Sequence, residues 1–135
     1  MNQIYPDDGL VEQLTRILAG GIKIKLFKTD VTPDRDTVLA DLVEADWAGY
    51  AAVDLDDTDF TLSGVVAHQG YLIADPVAFL NSSGAAKDAY GYFVTNADDD
   101  KLLAVARFDG APISKDDGES HIVVPAWGDF SELTS

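Results

Sequence analysis

The chain has no cysteine. That excludes disulfides, thiolate metal sites and a cysteine nucleophile together. It also leaves the redox compartment open, because a chain without thiols is indifferent to it. No apolar run approaches the ~18 residues of a membrane span. The first residues, MNQIYPDDG, carry neither a basic segment nor an apolar one. They do not read as a secretory signal, so the protein is expected to be made in a cytoplasm and to stay there or leave by another route. Basic residues are scarce: 9 Lys and Arg stand against 24 Asp and Glu, for a net charge of −15. A nucleic-acid binder neutralises phosphates with Lys and Arg, so this balance argues against DNA or RNA as a partner. No G-x-S-x-G, P-loop, G-x-G-x-x-G or H-E-x-x-H pattern occurs.

What is present describes a globular domain. Apolar residues make up 47% of 135 and charged residues 24%, which excludes wholesale disorder. A chain of this length forms one domain that can bury a core without staples. We read residues 1–21 as an N-terminal helix or arm, 22–126 as a β domain and 127–135 as a tail.

The spacing predicts a helix over 7–20. Leu10, Leu14, Ile17 and Leu18 form one apolar stripe, with Val11 alongside. Asp7 or Asp8 can cap its start, and Gly20-Gly21 supplies a left-handed stop. At about 13 residues it is marginal alone and must dock, on its own sheet or on a neighbour. A strand follows at 22–28, with Ile22, Ile24 and Leu26 on one face and Lys23, Lys25 and Phe27 on the other. Asp30 to Pro33 reads as a turn, and 36–44 as a short helix or an irregular apolar loop. Gly49 sits where a Cβ would obstruct a sharp bend. Further strands are expected at 50–55, 59–68, 70–74, 77–81, 89–97, 101–108 and 120–126, separated by Asp, Asn, Gly and Pro clusters. Tyr90, Tyr92 and Val94 alternate with Gly91, Phe93 and Thr95. A strand apolar on both faces belongs in the middle of the packing. The 89–97 and 101–108 segments form a hairpin with Ala97 to Asp100 at its tip. The expected class is mainly β, an antiparallel β-sandwich or jelly-roll-like barrel with one N-terminal helix.

Candidate chemistry is sparse. Asp54, Asp56, Asp57 and Asp59 cluster between strands, as do Asn96, Asp98, Asp99 and Asp100 at the hairpin tip. Neither fits an EF-hand loop. The sixth and twelfth positions counted from Asp54 are Asp59 and Val65, and from Asn96 they are Lys101 and Arg107, where Gly and Glu are required. Both clusters read as solvated turns, and no metal or other cofactor is expected. His68 and His121 have no metal-ligand spacing and read as strand residues with satisfied rings. Ser120 and His121 point to opposite faces of a strand and cannot pair as nucleophile and base. Scattered acids leave a small hydrolase as a remote alternative. Three of the nine cations, Lys23, Lys25 and Lys28, share one short strand. Either they guard a free edge, or they meet acid on a partner. Trp47, Tyr50, Tyr71, Phe79, Tyr90, Tyr92, Phe93 and Phe108 fall mostly on strands and read as core. Trp127 and Phe130 are candidate interface anchors.

One resemblance adds to this reading. Leu26-Phe27, Val31-Thr32-Pro33, Thr37 to Asp41, Glu44-Ala45 and Gly49-Tyr50 are followed by Tyr90 to Thr95 and Ala106-Arg107-Phe108. This pattern, spanning roughly residues 22–108, resembles small virion structural proteins of tailed bacteriophages. The resemblance implies no catalytic residue. It implies a non-enzymatic capsid decoration (cement) protein on the outer shell, self-associating as a homotrimer, with the major capsid protein or another virion protein as partner. Localisation would be the virion, and neither nucleic acid nor membrane would be bound. The interface residues expected are Lys23, Lys25, Lys28, Trp127 and Phe130. The alternative is a receptor- or glycan-binding module of a tail fibre or head fibre.

Overall fold

A computed structural model describes residues 7–66 and 69–128. One helix, α1 (Asp7–Ala19), precedes eleven strands among these residues. They are β1 (Ile22–Phe27), β2 (Val53–Leu55), β3 (Phe60–Val66), β4 (Gln69–Ala74), β5 (Val77–Leu80) and β6 (Lys87–Ala89). Then come β7 (Gly91–Asn96), β8 (Leu102–Arg107), β9 (Ile113–Lys115), β10 (Ser120–Val123) and β11 (Ala126–Gly128). Every strand pairing is antiparallel. A four-stranded sheet runs β2-β1-β7-β8, a three-stranded one β11-β4-β3, and β10-β5 and β6-β9 form two ribbons. The chain is thus mainly β with one N-terminal helix, and its sheets pack face to face in a sandwich-like way. No closed barrel forms among the described residues.

The period-2 pattern of β1 decides the layering. Ile22, Ile24 and Leu26 enter the main core with Tyr92 and Val94 of β7. Facing them are Phe60, Leu72, Ala74, Phe79 and Val123, from β3, β4, β5 and β10, with fully buried Leu18 of α1. The Gly21 amide donates to the Leu18 carbonyl at 2.9 Å, and Gly21 itself stands at φ +86°, where a Cβ would be strained. Ile17, counted in the apolar stripe of the helix, is instead 46% exposed and lies at its margin.

The opposite face of the four-stranded sheet is covered too. Phe27 and Phe93 pack there with Leu42, flanked by Val31, Leu39, Tyr90, Leu102 and Val105. The segment after β1 therefore folds back over the sheet as a strap, with a single 3₁₀ turn at Leu39–Asp41. Tyr90 breaks the expected alternation and the expected strand. It stands outside the ladder between β6 and β7 and joins Phe27 and Phe93, on the face opposite Tyr92.

Two other expectations need correction. β1 is not an edge, so its lysines guard none. It pairs with β7 along its whole length and with β2 over Ile22–Ile24, and beyond that the strap takes over. There the Ala45 amide donates to the Leu26 carbonyl, and the Lys28 amide to the Val43 carbonyl, both at 2.9 Å. Strand structure also continues past residue 126. Ala126–Gly128 pairs with β4, so the expected tail begins inside a sheet.

The ribbons are tied by one buried amide. Asn81 is fully buried, and its Nδ2 donates to the carbonyls of Ala85 (2.8 Å) and Lys115 (2.9 Å). Its Oδ1 accepts from the Ser83 amide at 3.0 Å and from the Ser83 hydroxyl at 2.7 Å. The end of β5 is thereby joined to the β6-β9 ribbon with all the hydrogen-bonding capacity of the side chain engaged.

Gly91 shows how tightly the layers meet. A Cβ there would lie 2.0 Å from the Ala106 carbonyl oxygen and 2.6 Å from the Phe27 ring. Gly84, at φ +85°, has open space around it. Gly91→Ala should therefore cost about 3 kcal/mol or more, because backbone must move. Gly84→Ala should cost only the left-handed penalty of about 1–2 kcal/mol. Urea unfolding of the two variants checks this, and equal midpoints would refute it.

Candidate functional site: a charged cluster on the first strand

β1 ends its pairing with β2 at Ile24, which leaves the Leu26 amide facing outward with no strand beside it. The Tyr50 hydroxyl fills that position, accepting from Leu26 N–H at 3.2 Å. The same hydroxyl donates to Glu44 Oε2 at 2.8 Å. Glu44 is held by its backbone as well, since it forms an isolated bridge with Phe27. Its second oxygen, Oε1, stands 3.4 Å from Lys25 Nζ. Lys25 also pairs with Asp99 Oδ2, at hydrogen-bonding range. The result is a Lys25 ammonium between two carboxylates, one of them clamped by a tyrosine.

Burial is uneven. The Lys25 side chain is 8% exposed, while Glu44 and Asp99 are 36% and 40% exposed. Phe93 lies opposite Lys25 in the β1-β7 register, with its ring centroid 5.9 Å from the ammonium. A lysine this covered needs its charge matched nearby, and both acids supply that. The hydrogen bond from Lys25 holds the Asp99 carboxyl below its usual range, opposed by partial burial and helped by Thr95. Burial first, and then the bond to Glu44, pushes the Tyr50 hydroxyl far above its ordinary value. Asp99 is also the one non-glycine residue at positive φ (+60°) among those described. The hairpin tip fixes it there. The Asp99 amide donates to the Asn96 carbonyl at 3.0 Å, while Asn96 Oδ1 accepts from the amides of Asp100 and Lys101. Asp tolerates this conformation better than most side chains.

The other two lysines are likewise matched within the chain. Lys23 Nζ bonds Asp54 at 2.7 Å, which raises its pKa, and Lys28 Nζ bonds Asp46 at 2.8 Å, which lowers that of Asp46. Lys23 and Lys28 stay partly exposed, at 29% and 36% of the side chain. The stripe expected to face an acidic partner is thus already faced by acids from the strap, β2 and the hairpin tip. Trp127 stands opposite Leu72 in the β11-β4 ladder. Phe130 lies outside the described residues, as does His68.

The acidic turns are occupied by local hydrogen bonds. Asp56 Oδ1 accepts from the Thr58 amide and Asp59 Oδ2 from the Asp56 amide, each at 2.9 Å, which caps the 3₁₀ turn at Asp57–Asp59. Among the described residues, no three His, Asp or Glu groups converge as metal ligands would.

His121 departs from expectation in one respect. Ser120 and His121 do face opposite ways, and His121 is 2% exposed. Its Nε2 donates to the Ile113 carbonyl at 2.9 Å, so the neutral ring leaves Nδ1 as a bare acceptor. That Nδ1 is buried without a partner. The ring packs against Trp47, centroids 5.6 Å apart, within an aromatic group that continues through Tyr50 to Phe79. A cleft of about 250 Å³ beside it is lined by Phe108, Ile113, Lys115, His121 and Ile122. Burial lowers the His121 pKa first; Lys115 adds to this, while the Ile113 carbonyl and Asp88 oppose it.

The chain matches no protein-family model, no curated protein and no solved structure.

Two outcomes follow from this geometry. Tyr50→Phe strips both the Leu26 amide and Glu44 of a partner. It should lower unfolding free energy by about 1–3 kcal/mol, measurable as a shifted urea midpoint at constant slope. For His121, the folded pKa lies below the ordinary histidine value of 6.5. The unfolded chain therefore binds more protons as pH falls through that value. Stability should be complete above it and decline below it. The Asp99 contribution runs separately: it is present above 3.8 and is lost as pH falls further. Urea titrations between pH 7 and 5 should show a slope that His121→Leu flattens, and an unchanged slope in the variant would refute the assignment.

Proposed function

We propose that the chain is a non-enzymatic virion structural protein, a capsid decoration protein that works by association. The observation that carries this reading is on the β10-β5 ribbon. Its inner face holds Phe79, His121 and Val123, all buried. Its outer face carries Leu80 opposite Ser120 and Ala78 opposite Ile122. Leu80 is 41% exposed and Ile122 45%, and Ala78 is exposed between them. Leu80 and Ile122 are diagonal neighbours in the ladder, about 7–8 Å apart. Exposed aliphatics that adjoin on a regular face, rather than scattering singly, offer a surface through which a chain can associate.

A second copy of the chain is the occupant proposed. Copies at −15 repel one another, so they meet best where no carboxylate must be buried. The ribbon face offers that, whereas the β1 lysines are already paired. Self-association to a trimer, which then sits on the major capsid protein, is the arrangement proposed.

Sedimentation equilibrium tests this. The parent should be trimeric at micromolar concentration and should co-sediment with empty shells of the encoding phage. Leu80→Asp/Ile122→Asp should stay folded by circular dichroism, with self-association at least tenfold weaker. A parent that is monomeric and fails to bind shells would overturn the reading.

A further inference from the structure

We propose that Lys25 and Asp99 condense on this folded scaffold to an intramolecular isopeptide bond, with Glu44 as the proton carrier. Three features of the cluster carry this. The Lys25 amine end is packed away from water, against the face of Phe93. Its partner carboxylate is held in contact by a rigid tip rather than by a free side chain on an open loop. A second carboxylate within 3.4 Å of the same nitrogen is fixed by Tyr50 and by a backbone bridge. Both acids match the lysine charge, and the second also offers a place for a proton. The second, immobilised acid is what proton transfer between amine and carboxyl requires.

The step balances without any co-reactant. The Lys25 ammonium first gives a proton to Glu44, which passes it to an Asp99 oxygen, so that the acceptor is a neutral carboxylic acid. The lone pair of the neutral amine then attacks Asp99 Cγ, and a C–N bond forms. A second proton leaves the nitrogen, by way of Glu44, for the hydroxyl oxygen of Asp99. The Cγ–O bond breaks and that oxygen departs as water. Asp99 is 40% exposed, which gives the water a path out. The ion pair opposes the step, because the amine must lose its charge first. Lys25 is the most buried cation among the described residues, so its amine meets the two carboxylates with little competing water. Condensation of free amines and acids in water is unfavourable. Held groups react as if at effective molarities of about 10⁵–10⁸ M, because the cost of bringing them together has already been met by folding.

The bond would join residues 74 positions apart, linking the strand at the centre of the sheet to the β7-β8 tip. It does not depend on the association reading, since the atoms involved lie on a different part of the fold.

Intact-mass spectrometry of the denatured full chain is the test. The parent, after incubation folded at neutral pH, should be lighter than its sequence by one water. Digestion should yield a branched peptide joining the Lys25 and Asp99 segments. Lys25→Arg should keep the full mass, and Glu44→Gln should slow the loss at least tenfold at unchanged circular dichroism. A parent that keeps its full sequence mass overturns the proposal. So does a water loss that survives Lys25→Arg, because it would then come from dehydration elsewhere, such as at an Asp-Gly pair.

Discussion

β1 has to be covered on all four sides at once. A strand whose both faces and both edges are engaged cannot be built from local pairing alone; other parts of the chain must return to it. β7 takes one edge, β2 takes half of the other, and the strap from Lys28 to Tyr50 takes the remainder. The main core closes over Ile22, Ile24 and Leu26, while the strap closes over Phe27. Much of the fold follows from these returns. The strap must reach back over the sheet, so it is long and irregular. Gly49 must turn it sharply, because a Cβ at that position would stand 2.5 Å from the Ser82 hydroxyl oxygen. Tyr50 must then place a hydroxyl where a strand partner is missing.

The same constraint explains where the charges sit. A strand covered on its second face still carries Lys23 and Lys25 there, because period-2 alternation leaves them nowhere else to point. The covering elements answer with Asp54, Glu44 and Asp99. Replacing Lys25 by an aliphatic residue of similar size would suit a simple core equally well. The charge instead fixes partners: it draws the strap, through Glu44, and the hairpin tip, through Asp99, onto one side chain.

Much of this was legible in the residues. The helix, its glycine stop, the bend at Gly49, the β7-β8 hairpin and the central place of β7 all follow from spacing and turn chemistry. The misses share a cause. β9 and β11 are three-residue strands, too short to display a period, and their pairing is set by distant partners. Reading β1 as a possible edge failed because strand order is a tertiary fact: three lysines on a short strand look the same whether they face water or matching acids. Tyr90 was placed on the wrong face because nothing local announces a break in the ladder. The Lys25, Glu44 and Asp99 grouping joins three segments that no sequence window contains. Its only advance signals were an unusual lysine density on β1 and an acidic tip on the hairpin that packs beside it. The lone acceptor on His121 was equally hidden, since tautomer and burial depend on Ile113 and Trp47.

Asn81 has a consequence for how the molecule ages. Its amide nitrogen faces two carbonyl oxygens, and no water reaches it. Hydrolysis of that amide to a carboxylate would place a negative oxygen against both carbonyls, turning two attractions into two repulsions at the point where three segments converge. The backbone nitrogen that would begin deamidation, that of Ser82, is itself engaged, donating to the Ala48 carbonyl at 2.8 Å. Asn81 therefore cannot exchange its nitrogen for an oxygen without losing the tie between β5 and the β6-β9 ribbon.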